Sequence, residues 1–218
     1  FYFRPQNNVV LEAGSRYKYT VKVNATGLTL EGCTIGSWAD GGGESGTAED
    51  LGYIYDSNTK TYTVYNANGL MNIAELVNGG KSDINITLDK NIDLTGKGWT
   101  PIGTSFDNSY KGTFDGGGHT ITGLAVTTND QFVGLFGYLN RAGTVKNVVM
   151  EGVQITSNQI YGGSIGGVVG YSWGTIENCS VSGSVSGTVY VGGVVGAQWG
   201  GSITGCSSSA TVKGTVDV

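Results

Sequence analysis

The chain has 218 residues, of which 39 are glycine and two are proline, and charged residues make up only 13%. Its net charge of −5 and pI of about 4.8 argue against a nucleic-acid partner, because such proteins concentrate Lys and Arg on one surface. No apolar run approaches the roughly 18 residues that span a bilayer, so we expect no membrane insertion.

The first 45 residues predict a small antiparallel β segment. Apolar and polar residues alternate along this stretch with the period of two that is typical of a strand, and a turn at 24–27 separates two such runs. The apolar positions are Tyr17, Tyr19, Val21, Val23, Leu28 and Leu30. We therefore predict a hairpin.

Residues 46–60 are predicted to be a linker. The stretch from Ala39 to Asp50 is rich in glycine, serine and acidic residues and has no apolar pattern. Its segment 41–46 formally fits a dinucleotide-binding glycine motif, but no strand and helix surround it, so we do not expect a nucleotide.

One helix is predicted, at about 68–78, after a short strand at 61–65. Leu70, Ile73, Ala74 and Val77 follow helical spacing, Asn68 is the predicted N-cap, and two glycines at 79–80 end the helix. Its single apolar stripe needs a surface to cover. We expect the helix to cap the open end of the following domain.

Short strands follow the helix. Ile84, Ile86 and Leu88 alternate with polar residues, and the segment 89–91 is the predicted corner before Ile92 and Leu94.

Two phrases then recur. The first is Val-Gly-Leu-Phe-Gly at 133–137, and it returns as Ile-Gly-Gly-Val-Val-Gly at 165–170 and as Val-Gly-Gly-Val-Val-Gly at 191–196. The second begins at Gly143, Gly174 and Gly201. Periods of 26 to 33 residues predict a repeat protein, and units this short and glycine-rich predict coils of a β-solenoid.

Stacked coils should bury columns of like residues. Val145, Ile176 and Ile203 are predicted to form one column, and Leu135, Val168 and Val194 a second. Asn147 and Asn178 are predicted to form a short amide ladder that Gly205 interrupts. Aligning 187–191 with 214–218 leads us to expect a further coil, so the solenoid is interpreted as truncated at its C-terminus.

This order of phrases resembles the bacterial proteins named for the GLUG motif. The resemblance runs from about Tyr62 to Val218 and includes Trp-Thr-Pro-Ile-Gly at 99–103 and the stretch 112–124. It implies a right-handed parallel β-helix in a secreted or surface-attached adhesin-like protein, with no catalytic residues of its own. The motif also occurs beside IgA-cleaving metallopeptidases, but their zinc signature, His-Glu-x-x-His, is absent from this sequence.

The first segment carries a second resemblance. The stretches 10–21, 23–28 and 35–41 are similar to the closing strands of fimbrillin-like surface lipoproteins of anaerobic gut and oral bacteria. The resemblance implies that residues 1–45 are the remnant of such a domain.

The sequence does not favour an enzyme. His119 is the only histidine, which excludes a histidine-based zinc cluster and favours a role in a local turn. A polysaccharide-cleaving β-helix would need two facing carboxylates, and no pairing can be shown for the candidates Asp107 and Asp115.

The three cysteines show no metal-ligand spacing, so we expect no metal and no cofactor. Cys179 and Cys206 share a repeat position, and stacked coils would place their Cα atoms about 4.8 Å apart. They are interpreted either as small buried apolar residues or as a disulfide.

Trp173 and Trp199 are the candidate binding residues. Each lies three residues after the last glycine of its phrase, so we expect them to stack at one corner of adjacent coils. They would form a sugar-binding platform if exposed and a structural ladder if covered. Trp99 is predicted to be a core residue.

We therefore predict a non-catalytic, adhesin-like module at the cell surface (outer-membrane-attached) or secreted by an anaerobic gut-type bacterium. It would act as a stiff presenting or binding solenoid, with host or bacterial glycans or surface proteins as partners. The alternatives are a carbohydrate-binding module that uses Trp173 and Trp199, and a polysaccharide-cleaving β-helix enzyme.

Overall fold

The computed structural model describes residues 16–24, 27–36, 50–159 and 161–215. The chain divides into two compact units, residues 1–51 and 52–218. Within the described residues, no helix is both long enough and apolar enough to cross a membrane.

The first unit contains the predicted hairpin. Strands β1 (Arg16–Asn24) and β2 (Gly27–Gly36) pair antiparallel, with a register shift between Thr20 and Val21. The resemblance of this segment to fimbrillin-like proteins stays a prediction.

The second unit begins inside the segment that was predicted to be a linker, and that prediction was wrong for residues 53–56. Strand β3 (Tyr53–Asp56) pairs antiparallel with β4 (Thr61–Val64). The rings of Tyr53 and Tyr55 lie 5.3 and 4.5 Å from the ring of Tyr62, measured between centroids. A strand that is half-exposed or exposed along its whole length lacks a buried apolar alternation, so its sequence pattern resembles that of a loop.

Helix α1 spans Ala67–Asn78, and its N-cap is Asn66 rather than the predicted Asn68. The side chain of Asn66 accepts a hydrogen bond of 2.9 Å from the backbone N–H of Gly69, whereas Asn68 lies exposed in the first turn. Gly79 and Gly80 end the helix, and Gly80 has the positive φ of 107° that favours glycine. The predicted apolar face is buried at Leu70, Ile73, Ala74 and Val77, in the same core as the coils.

The rest of the unit is a parallel β-solenoid. Its strands are β5 Asn85–Leu88, β6 Ile92–Asp93, β7 Thr113–Asp115, β8 Thr120–Thr122, β9 Ala125–Thr128, β10 Phe132–Val133, β11 Phe136–Leu139, β12 Thr144–Lys146, β13 Val149–Ser157, β14 Ser164–Gly166, β15 Val169–Ser172, β16 Thr175–Glu177, β17 Ser180–Ser186, β18 Val191–Gly192, β19 Val195–Gln198, β20 Ser202–Thr204, β21 Ser207–Ser208 and β22 Thr211–Lys213.

Successive coils stack their strands into four sheets. The first contains β20, β16, β12, β7, β5, β4 and β3, and the second contains β21, β17, β13, β8 and β6, with β9 and β22 added at its side. Two three-stranded sheets, β10–β14–β18 and β11–β15–β19, complete the coils. The pairings between coils are parallel, as the repeats predicted.

The predicted core columns are confirmed and prove longer. Tyr62, Ile86, Phe114, Val145, Ile176 and Ile203 occupy one column of the first sheet in register. All of them except Ile203 are buried, and Ile203 is 45% exposed in the last described coil. Apolar columns of this kind supply most of the stabilisation, at about 25 cal/mol for each Å² of buried apolar surface.

The predicted amide ladder lies at the corner between the first and second sheets. The Nδ2 of Asn178 donates to the Oδ1 of Asn147 over 3.3 Å, and the Nδ2 of Asn147 donates to Asp115 Oδ1 over 2.9 Å. Asn147, Asn178 and Gly205 have φ values of 55°, 52° and 65°. Each coil therefore turns this corner in the left-handed conformation, which glycine and asparagine tolerate best.

Candidate functional site: an aromatic stripe

Aromatic side chains from four successive coils gather beside the two three-stranded sheets. We call this group the aromatic stripe, and its members are Phe106, Phe132, Tyr138, Tyr171, Trp173 and Trp199. It includes both tryptophans that the sequence singled out.

The glycines of the recurring first phrase shape this side of the solenoid. A Cβ atom on Gly170 would lie 2.6 Å from the carbonyl oxygen of Ser164, and one on Gly137 would lie 3.1 Å from that of Phe132. Glycine at these positions lets the two strands joined by the phrase approach backbone to backbone. The tight reversal brings Phe132 against Tyr138, with ring centroids 5.4 Å apart.

Three rings continue the stripe from coil to coil. Tyr138 stacks on Tyr171 at 4.8 Å, and Tyr171 stacks on Trp199 at 6.3 Å with 24° between the ring planes. Tyr138 and Tyr171 are partners in the register of β11 and β15, which explains why their rings meet. Both faces of Tyr171 are therefore covered by neighbouring rings.

Trp173 lies in the middle of the stripe and is half-buried. Its side chain lies close enough to the hydroxyl of Tyr138 to influence its pKa, and its ring packs against the backbone of Gly200, where a Cβ would come within 2.7 Å of the ring. Burial raises the pKa of Tyr138, the neighbouring Tyr171 raises it further, and the side chain of Trp173 acts in the opposite direction.

The two tryptophans hold equivalent backbone positions. The sequence predicted that their rings would stack on each other, but each ring contacts a tyrosine instead. The backbone N–H of Trp173 donates to the carbonyl oxygen of Leu139 in the preceding coil, and the backbone N–H of Trp199 donates to the carbonyl oxygen of Ser172. Each indole lies near the tyrosine of the preceding coil: Trp173 lies near the hydroxyl of Tyr138, and Trp199 stacks on Tyr171. Sugar binding by these residues stays a prediction.

The stripe offers accessible aromatic surface at both ends. Phe106 is 70% exposed and Trp199 is 55% exposed, while Tyr138 between them is buried. A ligand would therefore find its largest apolar contacts at Phe106 and Trp199.

Sequence reasoning missed the tyrosines of the stripe. The signal was present, because Gly137-Tyr138 and Gly170-Tyr171 repeat the same dipeptide at the end of the first phrase, and the third coil replaces tyrosine with Ala197. Phe106 carries no such signal, since its position depends on a loop between Gly103 and Ser109 that folds back over Tyr138.

The other candidates have structural roles. Trp99 is buried, and its Nε1 donates to the carbonyl oxygen of Gly134 over 3.1 Å, as expected of a core residue. His119 closes a turn through its backbone N–H, which donates to Gly116. Among the described residues, no group of three or more His, Cys, Asp or Glu side chains could hold a metal ion.

The candidate carboxylate of Asp115 has basic and amide partners. Asp115 is held by Lys146, whose Nζ lies 3.3 Å from Asp115 Oδ2, and by the Asn147 amide. A shallow groove on the second sheet is lined by serines of β17 and β21 and contains one carboxylate, Glu151. A glycosidase of the usual kind would need two.

Cys179 and Cys206 are free thiols. The backbone N–H of Cys179 donates to the sulfur of Cys206 over 3.4 Å, and the Cys179 thiol donates to the carbonyl oxygen of Glu177. Burial raises the pKa of Cys179 to about 12. The two residues therefore serve as core positions of one column.

Comparison with known proteins agrees with the repeats. Residues 161–186 and 187–213 each match the family described as the GLUG motif. The chain is a β-solenoid with two GLUG motifs. The first of the three copies of the first phrase, at 133–137, lies outside the matched residues.

Two relatives are similar to parts of this chain, and one of them is named as a membrane protein. The chain is 34% identical over 164 residues to halomucin of Haloquadratum walsbyi, and 35% identical over 99 residues to a protein of Evansella cellulosilytica named as a Gly-rich membrane protein. The matches cover 70% and 44% of this chain, but only 2% and 11% of those proteins. The chain thus spans a small part of the relatives that it matches.

A solved structure shares the fold. It belongs to a candidate immunoglobulin A1 protease of Bacteroides ovatus, with a TM-score of 0.61 and 27% identity over 71% of this chain and 48% of that one. The name protease describes that protein, and the comparison shows a shared fold.

Proposed function

We propose that the chain is a non-catalytic module of an adhesin-like protein, exposed on the surface of an anaerobic gut-type bacterium or secreted by it. The observation that carries the proposal is the stack of parallel coils, in which β10–β13, β14–β17 and β18–β22 follow a coil that contains β7–β9, in four continuous sheets. Each added coil lengthens such a stack in one direction, so the fold makes a stiff spacer that holds other parts of a protein away from the cell.

The composition of the core supports a spacer rather than an enzyme. The interior is filled by apolar columns, and Asp115 is engaged by neighbours that keep it in place. The names of halomucin and of the Gly-rich membrane protein support an outer location.

The surface location is tested on intact cells of the producing bacterium. An antibody raised against residues 52–218 should label unpermeabilised cells or the culture medium, and protease added outside the cells should remove the cell-bound signal. A cytoplasmic protein treated in parallel controls for lysis. Labelling that appears only after permeabilisation would contradict the proposal.

The absence of catalysis is tested with the purified chain. We expect no new fragments when it is incubated with immunoglobulin A1 or with acidic and neutral polysaccharides. Release of defined fragments, lost on substitution of Asp115 or Glu151, would instead establish an enzyme.

The aromatic stripe favours a second function, carbohydrate binding. Sugar rings stack on flat aromatic faces, and Trp199 presents more than half of its surface to solvent. A glycan and mucin array should show binding by the wild-type chain that falls at least about tenfold in Trp199→Ala, because a buried aromatic contact is worth more than 1.4 kcal/mol at a binding hot spot.

The matched control is Tyr161→Ala, since Tyr161 is an aromatic residue that is 79% exposed and makes no ring contact with the stripe. Trp173→Ala is measured beside it, with circular dichroism to confirm folding. Equal loss in Tyr161→Ala and Trp199→Ala would mean that general stickiness, and not the stripe, binds the glycan.

A further inference from the structure

An arginine lies over the aromatic stripe without an acidic partner. The Cζ of Arg141 is 5.4 Å from the ring centroid of Trp173, in the arrangement of a cation–π contact. Arg141 is exposed, and among the described residues no carboxylate lies within ion-pair distance of it.

The turn that carries Arg141 is fixed. Gly143 donates its N–H to the carbonyl oxygen of Asn140 over 2.8 Å, and the side-chain amide of Asn140 donates to Ser109 Oγ over 3.0 Å. The backbone around Arg141 is therefore held by the preceding coil and by its own turn.

This turn is longer than its counterpart in the next coil. Four residues separate Leu139 from Thr144, whereas two separate their register partners Ser172 and Thr175. The extra residues let the turn project, and they place the guanidinium of Arg141 over Trp173, which belongs to the shorter turn.

The contact with Trp173 leaves the hydrogen-bond donors of the guanidinium available. A guanidinium carries five N–H donors, and among the described residues the Arg141 side chain makes no hydrogen bond or ion pair that would engage them. The planar guanidinium can therefore donate two parallel hydrogen bonds to a carboxylate, next to aromatic rings on which a sugar can pack.

We propose that the aromatic stripe binds an acidic saccharide whose carboxylate pairs with Arg141 while its sugar rings contact Trp199 and its neighbours. This rests on the proposed carbohydrate-binding function and specifies the class of ligand. The net charge of −5 repels anions in general, so recognition of an acidic sugar needs a local cation of this kind.

The test compares pairs of probes that differ only in whether their carboxylates are free or methyl-esterified: tetragalacturonate with its fully methyl-esterified form, and sialyllactose with its methyl ester. Titration calorimetry of the wild-type chain at low salt should show at least one acidic probe binding about tenfold more tightly than its neutral counterpart, the size expected of one charge-assisted bidentate contact. Salt should reduce this preference, because the contact is exposed.

The variants assign the preference to its source. Arg141→Gln should abolish the preference and leave the neutral probe unchanged, and Arg141→Lys should restore only part of it because lysine lacks the planar fork. Trp199→Ala should weaken both members of a pair equally. Lys90→Gln, which removes an exposed cation at the corner between β5 and β6, is the matched control and should change nothing.

The outcomes separate this inference from the function beneath it. If acidic and neutral probes bind equally, or if the preference survives in Arg141→Gln, the role of Arg141 is overturned while carbohydrate binding stands. If no saccharide binds the wild-type chain, carbohydrate binding fails and the inference fails with it.

Discussion

At the scale of the residue, the corner between the first two sheets explains a choice of side chain at each coil. The left-handed backbone at Asn147, Asn178 and Gly205 accepts only a few residue types, and asparagine adds an amide that bonds to the coil above or below. A Cβ on Gly205 would clash with the side-chain amide oxygen of Asn178, so glycine fits at this end of the ladder.

Asp115 ends the ladder on the other side, and its charge makes the corner sensitive to pH. Burial alone would raise the pKa of Asp115, but the hydrogen bonds from Asn147 and Gly117 and the pairing with Lys146 outweigh it and lower the pKa. The ionised form is thus favoured in the folded state. The stabilisation is present above the unfolded pKa of about 3.9 and is lost as pH falls through the lower folded value.

We therefore expect Asp115→Asn to lower the free energy of unfolding at pH 7 by about 1 kcal/mol, the usual size of a partly exposed charged contact. Urea titrations at neutral pH and at about pH 2 would measure this, since protonation of Asp115 at the lower pH reduces the charge difference between the two proteins. A stability gap that stays constant over this range would show that the charge of Asp115 does not matter.

The thiols of Cys179 and Cys206 give a second prediction at this scale. In a Cys33→Ser background, iodoacetamide at about pH 8 should modify Cys206 before Cys179, because the pKa of Cys179 is raised to about 12 and its sulfur is buried. Mass spectrometry of the native and denatured chains follows the modification. Absence of labelling even after denaturation, reversed by a reductant, would reveal a disulfide.

At the scale of the element, helix α1 shows how a start signal can be misplaced by two residues. Asn66 and Asn68 both precede the first apolar residue of the helix, and asparagine is a favoured N-cap residue at either position. The choice depends on β4 ending at Val64, which leaves Asn66 in the extended conformation of a cap, with φ −155° and ψ 174°.

This difference is testable with a matched pair of substitutions. Asn66→Ala should lower the free energy of unfolding by about 1 kcal/mol through loss of the bond to Gly69, while Asn68→Ala, at an exposed position, should change it by less than about 0.5 kcal/mol. Thermal unfolding followed by circular dichroism compares the two. An equal effect of both variants would remove Asn66 from the role of cap.

At the scale of the whole molecule, stability depends on having a neighbour on each side. Ile176 is fully buried between Val145 and Ile203 in its column, whereas Ile203 lies in the last described coil and is 45% exposed. The same residue type at the same repeat position therefore buries different amounts of surface.

Ile176→Ala should cost about 2–5 kcal/mol, as expected for a cavity in a packed core, and Ile203→Ala about 1 kcal/mol or less. Denaturant unfolding of both variants gives the comparison, with the stacking of repeats favouring local loss at the terminal coil. Similar costs for the two substitutions would show that the terminal coil is covered as well as the central one.

The sequence by itself determined the coils. The recurrence of glycine phrases and apolar residues fixes where a coil turns and which residues face inward, because parallel stacking places each residue on its counterpart in the next coil. The column of Val145, Ile176 and Ile203 and the amide ladder could be predicted from this rule, and the apolar face of α1 could be predicted from its helical spacing.

Only the tertiary structure decided the features that depend on side-chain direction or on loops without a repeat. The equivalent positions of Trp173 and Trp199 could be read from the repeat, but the turn of each indole towards Tyr138 or Tyr171 depends on rotamers and on free space such as that over Gly200. The position of Arg141 over Trp173 depends on a turn that breaks the repeat. Where the repeat holds, backbone pairing between coils determines the position of each residue. Where the repeat is broken, three-dimensional packing determines it.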